Sequence, residues 1–592
     1  MRHRAQSWLA RWLLVLSLGL PVCAGAADLP IVWHPWSKEV WAQAKAEHKL
    51  VLLDLEAVWC HWCHVMDATT YQDPAVAALI REHYLAVKVD QDSRPDLANR
   101  YEDYGWPATV IYDPDGGEII KKQGYIPPAG MLRLLTTVAA DPSPDVAVAP
   151  AAPPASASIL PPDRRTALRR QWLAGYDEKG GGWGTVHKFL DWDSVELAMR
   201  EAQRGDRDSE RRARTTLRLE RKLLDPVWGG VYQYSIDGWD EPHFEKIMAM
   251  QAENMRIYAL AYAQWRDPAD LAMAQAIRGY IRTFWSTPSG AFYTSQDADA
   301  EPGQAGADYF ALPDAARRAR GLPRIDRHQY ARENGWAITG LAQLAAVTDD
   351  GAIRQEANNA AWWARNHRIL PGGGFSHDAV DVAGPYLGDT LAMGRSFFAL
   401  YEATAYGPWL DHAAEAVAFI QLHFRRQAGP GFATSDTTLP SQPESLPEFD
   451  ENVALARLAT AVGNAKGNSE YKAVADSALR WLLSPGLAEH HGYYVAGLLL
   501  AEEEARTDPL HIAVVGPKND GPARSLYRVA VAAPTSHKLI EWWDPTEGLA
   551  PRDEDIYPSL SSSAAFVCDH GACSAPIMDP ATLTARLKKL GY

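Results

Sequence analysis

Leu50-Val51-Leu52-Leu53-Asp54-Leu55-Glu56-Ala57-Val58-Trp59-Cys60-His61-Trp62-Cys63-His64 is the stretch that decides the first part of the architecture. Its apolar opening has the length of a buried strand, and a Cys-x-x-Cys pair follows where the residues turn helical, over Cys63 to Ala68. At such a junction the unpaired N–H groups and the positive end of the helix dipole stabilise a thiolate. Cys60 is therefore the expected nucleophile, and Cys63, one turn further in, the thiol that resolves a mixed disulfide. His61 and His64, when protonated, lower the Cys60 pKa further. Asp54, if buried, can take and return the Cys63 proton. The plainer reading makes Asp54 a solvated strand-end carboxylate and the histidines solvated helix-start residues.

Working outward, Ser37 to His48 and Asp73 to His83 read as helices, and Leu85 to Val89 as a second strand. Thr109 to Tyr112 and Glu118 to Lys122 pair across the turn Asp113-Pro114-Asp115-Gly116-Gly117, and an amphipathic helix from Pro128 to Ala139 closes an α/β unit spanning 30–140. The order of elements, Trp59 ahead of the cysteine pair, and Gly105-Trp106-Pro107 ahead of a strand resemble thioredoxin. That resemblance implies a cis Pro107 beside the cysteines. It also implies that Asp54 stands where a buried carboxylate serves the second cysteine. Three other readings of Cys60-His61-Trp62-Cys63-His64 stay open: an inert structural disulfide, the haem-attachment pattern Cys-x-x-Cys-His, and zinc shared with the second cysteine pair. The leading reading requires neither metal nor cofactor.

Upstream, Arg2, Arg4 and Arg11 precede an apolar run from Leu13 to Val22 and the small-residue site Ala24-Gly25-Ala26. This predicts a signal peptide over 1–26, export to the periplasm, and no membrane anchor after cleavage, because the run is about half the roughly 20 residues a membrane helix needs. The remaining four cysteines form two close pairs, Cys60/Cys63 and Cys568/Cys573, as an oxidising compartment favours. A net charge of -16 over 592 residues, with no basic run, argues against a nucleic-acid partner.

Residues 141–162, rich in Pro, Ala and Ser, read as a semi-rigid linker. Beyond them the period becomes helical, as in Met255, Tyr258, Tyr262, Trp265 and in Ala413, Val417, Ile420, Phe424. A glycine followed by an aromatic recurs at Gly182-Trp183, Gly230-Val231-Tyr232, Gly290-Ala291-Phe292, Gly374-Phe375, Gly431-Phe432 and Gly492-Tyr493. These marks lie roughly 50 to 80 residues apart, the length of a helical hairpin with its loops. Six marks predict six hairpins closed into an (α/α)6 barrel over 163–505, with an insertion around Gln304 to Arg324 in the longest interval. His243, Glu245, Asp297 and Asp299 follow the marks. They are candidates for a barrel pocket in which carboxylates and aromatics would hold a carbohydrate; the plainer reading makes them capping and loop-ordering residues. Residues 506–592 read as a small α/β appendage in which Cys568 and Cys573 flank a turn. Their spacing suits a structural disulfide or, alternatively, a redox relay with the first pair.

Taken together, Trp-Cys-His-Trp-Cys-His, Gly105-Trp106-Pro107, Pro242-His243-Phe244-Glu245-Lys246, Ser295-Gln296-Asp297-Ala298-Asp299 and the terminal cysteine pair resemble the spermatogenesis-associated protein 20-like family. The resemblance implies a multidomain chain: a thioredoxin-like α/β domain, then a barrel similar to six-hairpin glycosidases and N-acylglucosamine 2-epimerases. This sequence departs from the pattern in its signal peptide, a shorter loop before Gly105, and weaker glycine-rich text near Gly303, which puts inherited sugar chemistry in doubt. The functional expectation is an exported thiol-disulfide oxidoreductase acting on a protein disulfide or thiol partner, with the barrel selecting the substrate. The alternative is a carbohydrate-processing or carbohydrate-binding barrel with a regulatory thioredoxin module.

Overall fold

The computed structural model describes residues 30–101, 105–144, 153–381, 383–438, 445–548, 557–558, 560–569 and 572–592. The expected signal peptide lies outside the described residues. The first domain runs β1 (Trp33–His34), α1 (Lys38–Glu47), β2 (Leu50–Glu56), α2 (His61–Thr69), α3 (Pro74–His83), β3 (Tyr84–Asp90), α4 (Pro95–Tyr101), β4 (Ala108–Tyr112), β5 (Glu118–Gln123), α5 (Pro128–Ala140). Its sheet has the order β1-β3-β2-β4-β5, with β2 parallel to β3 and antiparallel to β4. Central β2 is covered on both faces. Leu53 and Leu55 pack with Trp36 and Trp41, while Leu52 packs with residues of α3 and α5. Burial on both sides is why this strand reads as an unbroken apolar run. The thioredoxin-like expectation holds, with β1 and α4 as additions; two residues are too few to show a period.

The barrel begins with α6 (Pro162–Ala174), α7 (Trp192–Gln203), α8 (Arg207–Glu220), α9 (Met248–Trp265) and α10 (Pro268–Tyr280). The short α11 (Ala307–Phe310) and α12 (Asp314–Arg320) fill the expected insertion. Then come α13 (Ala331–Thr348), α14 (Gly351–His367), α15 (Leu387–Thr404), α16 (Gly407–His423), α17 (Phe449–Lys466), α18 (Ser469–Leu482), α19 (Leu487–His490) and α20 (Ala496–Arg506). An inner ring of α7, α9, α13, α15, α17 and α20 closes on itself, each helix packing on the next and α20 on α7. Helices α8, α10, α14, α16 and α18 lie outside their partners, and α6 packs on α20, so the sixth hairpin joins the two ends of the unit. Inner helices such as α9 are buried nearly all round, as expected for a helix enclosed by a ring and a second layer.

Each glycine-aromatic mark sits at the return from an outer helix to the next inner one. Five of these turns carry the same antiparallel bridge: Tyr176–Trp183, Leu224–Val231, Ser286–Phe292, Ile369–Phe375 and Arg425–Phe432. At Gly230 the backbone has φ 74°, and a Cβ there would meet the Tyr280 ring at 2.7 Å. Both the left-handed backbone and the close approach require glycine. Gly230→Ala is expected to destabilise the barrel by about 3 kcal/mol, from strain plus overpacking, read as a lowered midpoint in urea denaturation.

The predicted linker is corrected in its second half. Residues 145–152 lie outside the described set, but Leu160 is buried and Ala155 donates its N–H to the Arg480 carbonyl at 3.2 Å, so the segment before α6 is barrel surface. The appendage pairs Leu510–Val515 in parallel with Lys538–Trp543 and antiparallel with Ala564–Asp569, flanked by α21 (Gly521–Val531) and α22 (Pro580–Lys589). Its register sets Cys568 opposite Cys573 with Cα atoms 3.9 Å apart, the juxtaposition a bridge needs. Strand Lys538–Trp543 touches α15 and α17, so the appendage packs on the inner ring. No helix among the described residues is long and apolar enough to cross a membrane.

Candidate functional site

Cys60 is the N-cap of α2, and the Cys63 N–H donates to its Sγ at 3.1 Å. The two cysteines are joined as a disulfide, with Cα atoms 5.3 Å apart. They are only 4% and 2% exposed, although Trp62, between them in sequence, is 42% exposed and leans on Tyr125. Trp59 is buried, its indole N–H donating to Asp92 Oδ2 at 2.8 Å. The Trp106-Pro107 bond is cis, and Trp106 packs against the cysteines.

Asp54 is buried, not solvated. Lys88 donates to Asp54, Glu56 and Asp67, each at 2.7 Å. Burial raises the Asp54 pKa against the opposing pull of Lys88, and burial likewise pushes Glu56 up to about 7. Asp54 thus lies behind the cysteine turn with its charged form disfavoured by burial and favoured by Lys88. Lys88 went unpredicted, although a lysine inside the apolar strand β3 was the available signal. Removing it takes the counter-charge from Asp54 and Glu56, whose folded pKa values then rise further. Their charged forms then oppose folding, and stability falls as pH rises. Lys88→Met is expected to cost about 2 kcal/mol at pH 7, since Asp67 and Glu56 keep some solvent, and less at pH 5, measured by urea denaturation at both.

The four barrel candidates come together, but at the seam between the domains: none of them lines the barrel's central cavity. Asp299, fully buried at its side chain, receives both histidines of the cysteine motif: His61 Nδ1 lies 2.8 Å from Oδ1 and His64 Nδ1 3.1 Å from Oδ2. The Gly303 N–H donates to the same carboxylate at 2.8 Å. Asp297 Oδ1 accepts from the Asp299 N–H, and its other oxygen lies 3.7 Å from His64 Nε2. The Ala298 N–H donates to the Trp59 carbonyl at 3.3 Å, and Ile247 packs with the cysteines and Trp106. His243 stacks on Tyr234, ring centroids 4.3 Å apart. Loops 243–247 and 297–303 of the barrel thus lie over the cysteine turn.

These contacts set the charge states. The Asp299 hydrogen bond raises the His61 pKa above the ordinary imidazole value. At His64 burial pulls downward, but Asp299 and Asp297 prevail and the pKa rises. Burial would lift Asp299, yet the bonds from His61, His64 and Gly303 hold it below the usual carboxylate range. Burial raises Glu245 to about 7 and Asp297 to about 6, and lowers His243 to about 4. His64, Asp297 and Asp299 also place ligand-type atoms within 4.8 Å of one another, but hydrogen bonds among them already occupy the His64 Nδ1 and Asp299 oxygens. Lys246, from the same motif, is buried under the barrel rim and pairs with Asp225 at 2.8 Å, a structural role.

The barrel interior holds a cavity of about 510 Å³. Trp59 and Trp106 of the first domain form part of its wall with Ile247, and Ser536 to Leu539 of the appendage contribute at another part of the lining. Its polar lining is an ion network: Arg256 pairs with Glu253 at 2.5 Å and Glu196 at 2.7 Å, Arg457 with Glu504 at 3.0 Å, and Arg332 with Glu333 at 2.7 Å. Sequence reasoning missed these residues because each lies on an inner helix where charge looked like a surface face.

The family described as Thioredox_DsbH, protein of unknown function, DUF255, matches residues 21–140. Spermatogenesis-associated protein 20 of Homo sapiens is 24% identical over 723 residues, covering 94% of this chain and 89% of that protein. Thiol:disulfide interchange protein DsbD 2 of Pseudomonas aeruginosa is 36% identical over 80 residues, 13% of this chain and 14% of that protein. A crystal structure of D-mannose isomerase aligns with a TM-score of 0.45 and 9% identity, covering 58% of this chain and 98% of that one. The chain is thus similar along nearly its whole length to spermatogenesis-associated protein 20, and its N-terminal thioredoxin-like domain matches the DsbH-type family model.

Proposed function

We propose that this protein is an exported thiol-disulfide oxidoreductase in which the barrel docks over the cysteine pair and selects what reaches it. The observation that carries this reading is the bonded Cys60–Cys63 pair at the start of α2, in a thioredoxin-like sheet with a buried Asp54 behind it. Cys60, once free, is the attacking thiolate, supported by the helix N-terminus and by imidazolium at His61. Cys63 closes the exchange, with the Asp54–Lys88 group as its proton store. Asp299 is a positioning residue that holds both histidines to the barrel. The carbohydrate alternative has lost its original support, since His243, Glu245, Asp297 and Asp299 attend the cysteine turn and not the cavity. The test is turnover of a model disulfide by the full chain and its dependence on Cys60, with a pH titration of the Cys60 thiol in the reduced protein. A thiol with an unshifted titration and no turnover would end the reading.

A further inference from the structure

Asp299 and Glu245 both reach the first turn of α2 from the barrel, and they are not equivalent. Asp299 is fully bonded, to His61, His64 and the Gly303 N–H. Glu245 is not. It stands two residues before the Ile247 that packs on Cys60 and Cys63, and it is 4% exposed. Its Oε2 is buried with no hydrogen-bond partner among the described residues.

The groups facing that carboxyl set its state. Burial lifts its pKa to about 7, against the backbone N–H groups of Glu245 itself and of His61 and against the His61 imidazole, while the Asp299 charge adds to the rise. Tyr234 also faces it, kept neutral by burial and by the Glu245 charge. His243 is held neutral by burial, with His61 and His187 adding repulsion. A protonated Oε2 is thus a buried donor that lacks an acceptor. Reduction of the disulfide supplies one in the same turn: Cys60 is the N-cap of α2, and His61, whose N–H faces Glu245, is the next residue. Two anions at one helix end repel each other, so a proton leaving Cys60 is favoured to pass to Glu245.

We propose that Glu245 is the proton acceptor and donor for Cys60, a carboxyl that the barrel contributes to the thioredoxin-like domain. This role rests on the redox reading above and adds a residue to its site. In the reduced chain the Cys60 thiol gives its proton to the Glu245 carboxylate. The thiolate attacks one sulfur of a substrate disulfide, that S–S bond breaks, and the leaving thiolate takes the proton back from Glu245. Cys63, its proton passing by way of Asp54 to water, then attacks Cys60 Sγ. The second substrate thiolate leaves and takes a proton from water. The dithiol loses two electrons and two protons, and the substrate disulfide gains both. Glu245 serves Cys60 from the barrel as Asp54 serves Cys63 from the sheet.

The experiment reads Cys60 ionisation first, as the rate of its alkylation against pH in the reduced Cys63→Ala chain. The rate should rise in two steps, because thiol and carboxyl titrate as a pair. Adding Glu245→Gln should leave a single step, complete about one pH unit lower. In the chain with both cysteines, single-turnover reduction of bis(2-hydroxyethyl) disulfide should slow about tenfold at pH 7 in Glu245→Gln, below the usual range for acid–base catalysis because a thiolate leaves without full protonation. Its pH profile should also lose the inflection near 7. Glu245→Asp should restore the inflection and part of the rate, whereas a packing defect alone slows the reaction equally at every pH. A single-step rise in both alkylation profiles, or a pH profile that Glu245→Gln leaves unchanged, overturns the proposal and leaves the redox reading standing. If Glu245→Gln does not fold, the number of steps in the chain that keeps Glu245 decides alone. If the wild type reduces no disulfide, the redox reading falls, and the alkylation profiles still decide whether Glu245 shares the Cys60 proton.

Discussion

Serine at Cys60 is expected to lower disulfide exchange by roughly three orders of magnitude or more, because the hydroxyl is not ionised at neutral pH and no other thiol stands at the start of α2. Alanine at Cys63 should behave differently. Cys60 is then a free thiol that still attacks, the mixed disulfide has nothing to resolve it, and covalent adducts accumulate at one per chain. Mass measurement of the non-reduced protein after a single addition of disulfide reads this directly, with the Cys60→Ser protein carrying no adduct at that position. The asymmetry follows from position: Cys60 caps the helix, whereas Cys63 is one turn in and 2% exposed. Adducts on Cys63 in the Cys60→Ser protein, or equal activity in both variants, would contradict the assignment.

The sequence was legible where a local rule had no competitor. The apolar run before Cys60 has a length that suits a buried strand, and the glycine-aromatic turns recur because five of the outer helices return to the ring by the same bridged turn. The barrel's order therefore followed from repeat spacing alone. What remained unread depended on long-range pairing. His61, His64 and Asp299 are separated by more than two hundred residues, and nothing in a helical period says that the Ser295 to Asp299 loop lands on the cysteine turn. The same motif read as a sugar pocket because carboxylates beside aromatics in a ring suggest one. In the folded chain Asp297 and Asp299 instead face the two histidines of the cysteine motif, brought by another domain. Lys88 and the Arg256–Glu196–Arg457 network escaped for the opposite reason: charged residues on buried elements look, one at a time, like surface.

Asp299→Asn is expected to destabilise the joined domains by about 3 kcal/mol in mildly acidic solution, the lower end for breaking a buried ion pair because the histidines keep some solvent. The carboxylate accepts from His61, His64 and the Gly303 N–H at once. An asparagine offers one oxygen and turns an amide N–H toward a partner that also donates. The pH dependence separates this from a simple packing defect. Both histidines have folded pKa values above their unfolded ones, so the imidazolium contribution is fully present below about pH 6.5 and is lost as pH rises through the folded values. Asp299 has a depressed folded pKa, so its share is present above about pH 4 and disappears only as pH falls through that lower value. The clasp is therefore strongest between these limits. The difference in urea midpoint between wild type and Asp299→Asn should be largest near pH 5.5 and shrink by pH 9. His61→Asn combined with Asp299→Asn should cost less than the two changes summed, since they remove one shared interaction. Because the clasp holds the 297–303 loop over the cysteine turn, the same substitution should speed alkylation of Cys60 in the reduced protein, most clearly at pH 5.5 once corrected for thiolate fraction. An equal loss of stability at pH 5.5 and pH 9, with unchanged alkylation, would mean that Asp299 shapes its loop and exerts no hold on the thioredoxin-like domain.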